Sequence, residues 1–399
     1  MNLGLWMRGM RPRTLPASIA PVLVGAASAW SVLSGGGQHC VSTDDGVWMD
    51  MEMGKGPCAM PWYAYGDALP RFAGMTLLCM GVALFLQIAV NFANDYSDGV
   101  RGTDESRGVH ESVSGKPQRL TASGLVAPGR VLAAAGVAAA LACVCGLAVA
   151  VLSRQYWFVG VGLLCLAAGW WYTGGRHPYG YAGLGEASVF VFFGLVATLG
   201  TQLAVVQAFD GFGMPGAWRI DVSSPFDVSA WSGGWYWRGA AGLDWFGFLA
   251  AVCVGLDAVA LLMVNNLRDI DDDRVHGKRT LAVRLGERGA RAALVACEAA
   301  QWLTSAFLYL WLCLASADWV SYAATGHIGR MDWAALPLLL AAAAPGLAMA
   351  VRVPSRVARG RFGAALKTAG LQALWFAVAF AALSFMTAAA PDPSISGVV

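Results

Sequence analysis

Two groups of acidic and amide side chains each follow a long apolar stretch of this 399-residue sequence. Asn94 and Asp98 are four residues apart in the first group, and Asn265, Asp269 and Asp273 repeat that spacing in the second. Side chains four residues apart share one face of a helix. Because stacked carboxylates repel one another, we expect a cation at each group. Oxygen ligands suit Mg²⁺, which typically binds one or two carboxylates together with phosphate oxygens.

Basic residues lie close to both acidic groups in the sequence. Metal and cationic side chains together suit a ligand with several negative oxygens, and a diphosphate has that chemistry. For each basic residue, a role in membrane topology is the alternative explanation. The residues predicted to bind the diphosphate are Arg101, Lys116, Arg119, Lys278 and Arg279.

The composition indicates a polytopic membrane protein. Hydrophobic residues make up 57% of the chain and charged residues 13%, against roughly 25% charged in an average soluble domain. A soluble enzyme is thereby excluded, and a net charge of +2 gives no argument for a nucleic-acid partner. Apolar runs near the length of a membrane crossing predict an all-α bundle of nine transmembrane helices. The predicted spans are about 14–33, 73–93, 130–152, 156–173, 184–206, 244–264, 290–316, 333–351 and 364–390.

The distribution of Lys and Arg predicts the orientation of the chain. With a cytoplasmic amino terminus, 21 of the 27 basic residues lie on the inner side. This asymmetry sets the orientation under the positive-inside rule. Both acidic groups then face the cytoplasm, and the carboxyl terminus lies outside the plasma membrane. The basic residues left outside are Lys55, Arg71, Arg154, Arg219, Arg238 and Arg330.

Two long outer segments, about 34–70 and 207–241, interrupt what we otherwise expect to be a single membrane domain over residues 1–399. Both are rich in Gly, Trp, Asp and Ser. Cys40 and Cys58 share the first segment, where an oxidising compartment would favour a disulfide. We interpret the two segments as insertions into the domain.

A polar site at the mouth of an apolar helix bundle suits a lipid diphosphate. The lipid tail can lie between helices within the membrane, while the diphosphate head stays beside the acidic groups. The sequence therefore predicts a polyprenyl diphosphate as a binding partner, with membrane lipid around the helices.

These motifs resemble the UbiA superfamily of intramembrane prenyltransferases, and the resemblance covers nearly all nine spans. The family's second motif, D-x-x-x-D, matches Asp269 and Asp273. Its first motif, N-D-x-x-D with a later Asp, matches Asn94, Asp95, Asp98 and Asp104.

One branch of the superfamily is particularly similar to this sequence. Position 102 is Gly, so the last Asp of the first motif comes six residues after Asp98. This spacing is similar to the branch that prenylates 1,4-dihydroxy-2-naphthoate in menaquinone synthesis. Three further segments support the similarity: RPRTLPASIAPVLVG from Arg11, YTGGRHPYGYAGLGE from Tyr172, and NNLRD from Asn265.

The resemblance implies a Mg²⁺-dependent transfer of a polyprenyl chain from its diphosphate to 1,4-dihydroxy-2-naphthoate, with loss of CO₂ and diphosphate. Tyr172 and Arg176 correspond to the family's Tyr and basic residue near the reacting carbon. The implied metal ligands are Asn94, Asp98, Asp269 and Asp273, with Asp95, Asp104 and Asn265 as further ligands or as groups that orient them.

Two other functions fit parts of the pattern. A relative with another aromatic acceptor would share both acidic motifs, because the acceptor pocket is not readable from sequence. An ion-coupled transporter fits less well, since transporters place charge near the bilayer midplane and these carboxylates lie at one membrane face. For the isolated acids within the spans, Glu186, Asp257 and Glu298, we expect backbone, Ser or Thr hydrogen-bond partners.

Overall fold

The computed structural model describes residues 3–34, 40–42, 48–50, 67–103, 108, 118–209, 242–325 and 335–388. Most of these residues are helical, because a segment that crosses a bilayer must satisfy its backbone polar groups internally. The α-helices are α1 (Leu3–Met10), α2 (Pro16–Ser34), α3 (Ala68–Val100), α4 (Pro128–Leu152), α5 (Phe158–Thr173), α6 (Gly185–Val189), α7 (Ala197–Gln207), α8 (Trp245–Arg268), α9 (Ile270–Val275), α10 (Leu281–Thr325), α11 (Ala335–Ala358) and α12 (Phe362–Ala388).

Shorter elements complete the described chain. A π-helical segment, Phe190–Val196, joins α6 to α7, and short 3₁₀ turns lie at Pro12–Thr14 and Tyr179–Ala182. Strands β1 (Cys40–Ser42) and β2 (Trp48–Asp50) pair antiparallel.

The prediction of an all-α membrane bundle is confirmed. Eight helical segments in the described part of the chain are long and apolar enough to cross a membrane, and the run Gly185–Gln207 counts as one of them. The predicted span at about 156–173 corresponds to α5, an apolar helix of 16 residues that is shorter than these eight. At 1.5 Å per residue it extends about 24 Å.

The two predicted insertions lie mostly outside the described residues; the described parts of the first are β1, β2 and the helix-end residues 34 and 67–70. Cys58 and the side chain of Cys40 also lie outside. The single domain with two insertions stays a prediction, as does the Cys40–Cys58 disulfide.

Local signals explain where two of the long helices begin and bend. The Asp244 carboxylate accepts a hydrogen bond from the backbone N–H of Gly247 at 2.7 Å, which satisfies a free amide in the first turn of α8. Gln202 on α7 also donates to Asp244, at 3.1 Å. Within α10, Gly286 has φ 69° and ψ 167°, a conformation that interrupts the helix and favours glycine.

The buried helix α2 packs against α7, α8 and α12. Val24 on α2 belongs to a buried cluster with Tyr309 of α10 and Phe376 of α12. A side chain at Gly25 would place its Cβ 2.4 Å from the Thr198 carbonyl oxygen, so the close approach of α2 and α7 requires glycine. On the outer helices, large apolar side chains are exposed, as expected for surfaces that face lipid.

α3 continues past the predicted end of its span at about residue 93, and the first acidic group lies on this extension. α3 has 33 residues, or about 50 Å, and so extends beyond the roughly 30 Å hydrocarbon core. Asn94, Asp95 and Asp98 occupy its last two turns and are all buried. The helix continues because the segment after it folds back, with Leu120 buried against Phe92.

The second acidic group spans a helix junction. α8 ends at Arg268, and Asp269 has φ −100° and ψ 7° before α9 begins. The Asp269 amide nevertheless donates to the Asn265 carbonyl at 3.1 Å, and the Asp273 amide donates to the Asp269 carbonyl at 2.8 Å. The expected single helical face is thus corrected to two consecutive helices that keep the four-residue hydrogen-bond pattern.

Two acids are buried in the interior of the bundle, where amide side chains donate hydrogen bonds to them. Asp257 on α8 and Glu298 on α10 are only 3% and 2% exposed. The Gln372 amide on α12 donates to Asp257 Oδ1 at 3.2 Å and to Glu298 Oε2 at 2.7 Å. Gln301 donates to Asp257 Oδ2 at 3.2 Å. The expected backbone, Ser or Thr partners are wrong here, because long amide side chains reach between the three helices.

Replacing Gln372 by Leu should destabilise the bundle. Two buried carboxyl groups would lose a donor, which costs about 1–2 kcal/mol. Thermal unfolding of purified protein in detergent should shift to lower temperature by several degrees. Thr304→Ala is the control, because Thr304 is only partly buried and its hydroxyl donates within its own helix, to the Ala300 carbonyl. Equal unfolding temperatures for Gln372→Leu and the control would contradict the role of this amide.

Candidate active site

The first acidic group lies where the ends of α3 and α5 meet. The hydroxyl of Thr173, the last residue of α5, donates to Asn94 Oδ1 at 2.7 Å. Arg101, directly after α3, donates to the Thr173 carbonyl at 2.6 Å and also to the Gly175 carbonyl. These bonds hold the two helix ends together and orient the Asn94 side chain.

Asp95 binds the chain that follows its own helix. Its Oδ2 accepts the backbone N–H of Leu120 at 3.1 Å, and its Oδ1 accepts that of Thr121 at 2.9 Å. Asp95 is 1% exposed, so both carboxylate oxygens are engaged within the protein. The sequence left two roles open for Asp95, a metal ligand or an orienting group. The geometry favours the orienting role, in which Asp95 positions the segment around Arg119.

Asp98 joins the two acidic groups. The Lys278 ammonium, which belongs to the segment after α9, lies 3.5 Å from Asp98 Oδ1, and both side chains are about nine-tenths buried. The Tyr181 hydroxyl donates to the same oxygen, and Thr103 Oγ1 lies 3.3 Å from it. Residues from two distant segments, together with the nearby Thr103, therefore converge on one carboxylate at the end of the bundle.

Tyr181 organises the cations around Asp98. Lys278 Nζ lies 4.7 Å and Arg101 Cζ 5.8 Å from the centroid of the Tyr181 ring, within the range of cation–π attraction. The Tyr181 carbonyl accepts the Arg279 amide at 2.8 Å. Burial, and secondly the Asp98 carboxylate, raise the pKa of the Tyr181 hydroxyl above its ordinary value. The hydroxyl consequently stays protonated and donates to Asp98.

The second acidic group is also compensated by cations and donors. The Arg268 guanidinium donates to both oxygens of Asp269, from Nε at 2.9 Å and from Nη2 at 2.8 Å. The Thr280 hydroxyl donates to Asp273 Oδ2 at 3.4 Å. Asn265 donates from Nδ2 to the Leu261 carbonyl at 3.2 Å.

The carboxylate and amide oxygens of the two acidic groups suit a hard divalent cation that is shared with a substrate phosphate. In the part of the chain that the structure describes, no three His, Cys, Asp or Glu side chains lie close enough to enclose a metal ion. Carboxylate and amide oxygens nevertheless form both groups, and Lys278 and Arg268 show that Asp98 and Asp269 attract positive charge. Mg²⁺ usually binds through one or two carboxylates, water and phosphate, so a partial protein ligand set fits it.

The other predicted site residues lie around these groups. Arg119 is half-buried and Arg279 is exposed. Tyr172 packs edge-on against Tyr179 with ring centroids 5.5 Å apart, and Arg176 is exposed in the turn that follows α5. Two further predicted residues, Asp104 and Lys116, lie outside the described residues.

Sequence reasoning missed several residues that build the site. Tyr181 and Thr173 lie in the segment YTGGRHPYGYAGLGE, but no spacing rule links them to Asp98 or Asn94. Asn266 donates to Glu186 Oε1 at 2.8 Å, so Glu186 has a side-chain amide donor in addition to the backbone partner that was expected. Only the neighbouring Asn265 stood out in the sequence, because it shared the four-residue spacing.

Fold and site together define a multi-pass helical membrane protein with two acidic groups linked through Lys278, whose ammonium lies 3.5 Å from Asp98 Oδ1 and whose amide donates to the Asp273 carbonyl at 2.8 Å. A model described as the UbiA prenyltransferase family matches residues 57–361. The chain therefore belongs to the UbiA prenyltransferase family, and the prediction of this family is confirmed.

Known relatives agree with this assignment. The 1,4-dihydroxy-2-naphthoate octaprenyltransferase of Mycobacterium tuberculosis (strain ATCC 25618 / H37Rv) is 39% identical over 287 residues, which are 72% of this chain and 71% of that protein. The protein of the same name from Escherichia coli (strain K12) is 31% identical over 291 residues, covering 72% and 70% of the two chains. The apo structure of a UbiA homolog from Aeropyrum pernix K1 matches 90% of this chain and 96% of its own, with a TM-score of 0.50 and 15% identity. That likeness concerns the fold alone.

Replacing Asp95 by Ala should loosen the segment after α3. The amides of Leu120 and Thr121 would lose their acceptors, so their hydrogen exchange should become at least about tenfold faster. Exchange measured by mass spectrometry on peptides covering residues 118–126 provides the test. Asp98→Ala is the matched control, since Asp98 does not accept from these amides. Unchanged exchange in Asp95→Ala would contradict the anchoring role.

Proposed function

We propose that this chain transfers a polyprenyl chain from polyprenyl diphosphate to 1,4-dihydroxy-2-naphthoate, with release of CO₂ and diphosphate, in menaquinone biosynthesis. The observation that carries the proposal is the link between the two acidic groups through Lys278, whose ammonium pairs with Asp98 and whose backbone amide donates to the Asp273 carbonyl. The naphthoate acceptor is supported by the relatives, which bear that activity in their names at 39% and 31% identity. The product would be demethylmenaquinol.

The two acidic groups would hold the diphosphate through Mg²⁺. Asn94 and Asp98 would supply ligands from α3, and Asp269 and Asp273 would supply them from the α8–α9 junction. Asp104 and Asn265 would be further ligands or orienting groups, and Asp95 an orienting group. Bound Mg²⁺ would neutralise the charge that develops on the diphosphate as its bond to the first prenyl carbon breaks.

Cationic side chains would bind the same diphosphate directly. Lys278 is buried beside Asp98 and stacked on Tyr181, so its ammonium is held in place before substrate arrives. Such preorganised charge stabilises a leaving group without further rearrangement. The additional diphosphate ligands would be Arg101, Lys116, Arg119 and Arg279.

The acceptor ring would react beside Tyr172 and Arg176. As the leaving group departs, the first prenyl carbon gains allylic cation character, and the electron-rich ring carbon that bears the carboxylate attacks it. Loss of CO₂ then restores the aromatic ring. Tyr172 is half-buried near the cluster and Arg176 is exposed at the same end of α5, where a carboxylated ring could enter.

The orientation in the membrane follows from the charge distribution. We assign the amino terminus and both acidic groups to the cytoplasm and the carboxyl terminus to the outside of the plasma membrane, because 21 of the 27 basic residues then lie inside. Both water-soluble substrate heads would thus be reached from the cytoplasm.

Activity should require both acidic groups and a divalent cation. Asp98→Ala and Asp269→Ala should each lower turnover by at least about 100-fold, because each removes a proposed metal ligand, and chelation of Mg²⁺ should have the same effect. Asp271→Ala is the matched control, since the Asp271 side chain is 90% exposed and pairs only with Arg274. Near-normal turnover in either test variant would contradict the assignment of two cooperating groups.

The acceptor can be identified by the fate of its carboxyl carbon. Membranes incubated with carboxyl-labelled 1,4-dihydroxy-2-naphthoate and a polyprenyl diphosphate should release labelled CO₂ in equal amount with prenylated product. The comparison uses 4-hydroxybenzoate, which is prenylated beside its hydroxyl and keeps its carboxylate. Product from 4-hydroxybenzoate alone would overturn the naphthoate assignment while leaving the family and metal site unaffected.

A further inference from the structure

Glu186 has an unusual environment close to the two acidic groups. It lies in the first turn of α6, directly after the turn that places Tyr181 on Asp98, and it is only 6% exposed. Its Oε1 accepts from Asn266 Nδ2 at 2.8 Å. Its Oε2 is buried and has no hydrogen-bond partner among the residues that the structure describes.

An unpartnered carboxylate oxygen in this position needs an explanation. Burying a polar atom without a partner is unfavourable, and native proteins rarely leave one in that state. Of the interior acids, Asp257 receives hydrogen bonds on both oxygens, whereas Glu298, like Glu186, keeps one oxygen without a partner among the described residues. Asp98 and Asp269 form ion pairs with Lys278 and Arg268. Glu186 Oε2 therefore remains able to accept a hydrogen bond from a ligand.

The backbone next to Glu186 lies beside the proposed acceptor site. The backbone at Gly185 lies against Tyr172, because a Cβ added there would be 3.0 Å from the Tyr172 hydroxyl oxygen. On its other side, Glu186 is bonded to Asn266, the neighbour of Asn265 in the second acidic group. Glu186 consequently lies between the residue expected near the reacting carbon and the metal-binding end of α8.

The acceptor's chemistry supplies the missing donor. In 1,4-dihydroxy-2-naphthoate, the hydroxyl at position 1 is adjacent to the carbon that bears the carboxylate. When that carbon forms its bond to the prenyl chain, the neighbouring C–O bond becomes a carbonyl and the hydroxyl must give up its proton. A carboxylate within hydrogen-bond reach is a suitable acceptor for that proton.

We propose that Glu186 Oε2 accepts a hydrogen bond from the acceptor hydroxyl beside the reacting carbon and takes its proton as the carbon–carbon bond forms; this inference rests on the proposed function. The intermediate is then a β-keto carboxylate. Breaking its bond to CO₂ returns the electron pair to the ring oxygen, which recovers the proton from Glu186. No net proton is consumed, and diphosphate leaves with the electron pair of the broken prenyl–oxygen bond.

Glu186→Gln tests this role because the amide can keep the Asn266 hydrogen bond but cannot take a proton. We expect kcat to fall by about 10²–10⁴-fold, while KM for the prenyl diphosphate stays within about twofold. Glu186→Asp should recover part of the loss. Glu287→Gln is the matched control, because Glu287 is exposed and pairs only with Arg291. A purely structural Glu186 would predict nearly normal kcat for Glu186→Gln.

A second measurement tests the contact in the absence of turnover. The affinities of wild type and Glu186→Gln are compared for 1,4-dihydroxy-2-naphthoate and for its 1-methyl ether, which lacks the hydroxyl proton. If Glu186 accepts from that hydroxyl, the ether and the Gln variant each remove the same hydrogen bond. The ether should bind at least about fivefold more weakly than the naphthoate to wild type and equally well to Glu186→Gln. Equal preference for the hydroxyl in both proteins would overturn the contact, and near-normal kcat in Glu186→Gln would overturn the proton transfer.

The same comparison separates this inference from the proposed function. If wild type prenylates another hydroxylated aromatic acceptor instead of the naphthoate, the acceptor assignment fails, and the Glu186→Gln loss with that acceptor decides the role of Glu186. If wild type prenylates the naphthoate and Glu186→Gln does so equally fast, only the role of Glu186 fails. Absence of product from wild type with every such acceptor overturns both.

Discussion

The ion pair between Asp98 and Lys278 is the interaction on which the site depends. The two residues are 180 positions apart, and their charged atoms lie 3.5 Å from each other in a buried setting. Neither charge could be buried at this depth alone, because the cost of desolvation is recovered only by a close partner. The pair therefore holds the end of α3 to the segment after α9 and brings the two acidic groups together.

Depth in the membrane determines how each acid is satisfied. Asp98 and Asp269, at the polar end of the bundle, are compensated by full positive charges. Asp257 and Glu298 lie in the interior, where neutral amides from neighbouring helices serve instead. Placing an additional cation in the interior would be costly, whereas the mouth of the bundle must accept a charged ligand. Glu186 has one oxygen that accepts from the Asn266 amide and one oxygen without a partner among the described residues.

Neighbouring residues in one motif have different tasks. Asp95 and Asp98 are separated by less than one helical turn, and both are buried. Asp95 accepts hydrogen bonds from backbone amides of the following segment, whereas Asp98 accepts from Tyr181 and pairs with Lys278. A helix places residues three apart near each other but points them in different directions. The motif therefore contains both a chemical group and the anchor of a segment that carries Arg119.

The sequence alone determined the class of fold, the spans and the two acidic groups, because the bilayer imposes the length and polarity of each helix and because ligand spacing along a helix is local. Tertiary structure alone decided which side chains complete those groups. The Tyr181 hydroxyl, the Lys278 ammonium and the amides of Asn266 and Gln372 reach their acids from remote segments. Such contacts depend on how helices pack, and packing geometry leaves no periodic signal in the chain.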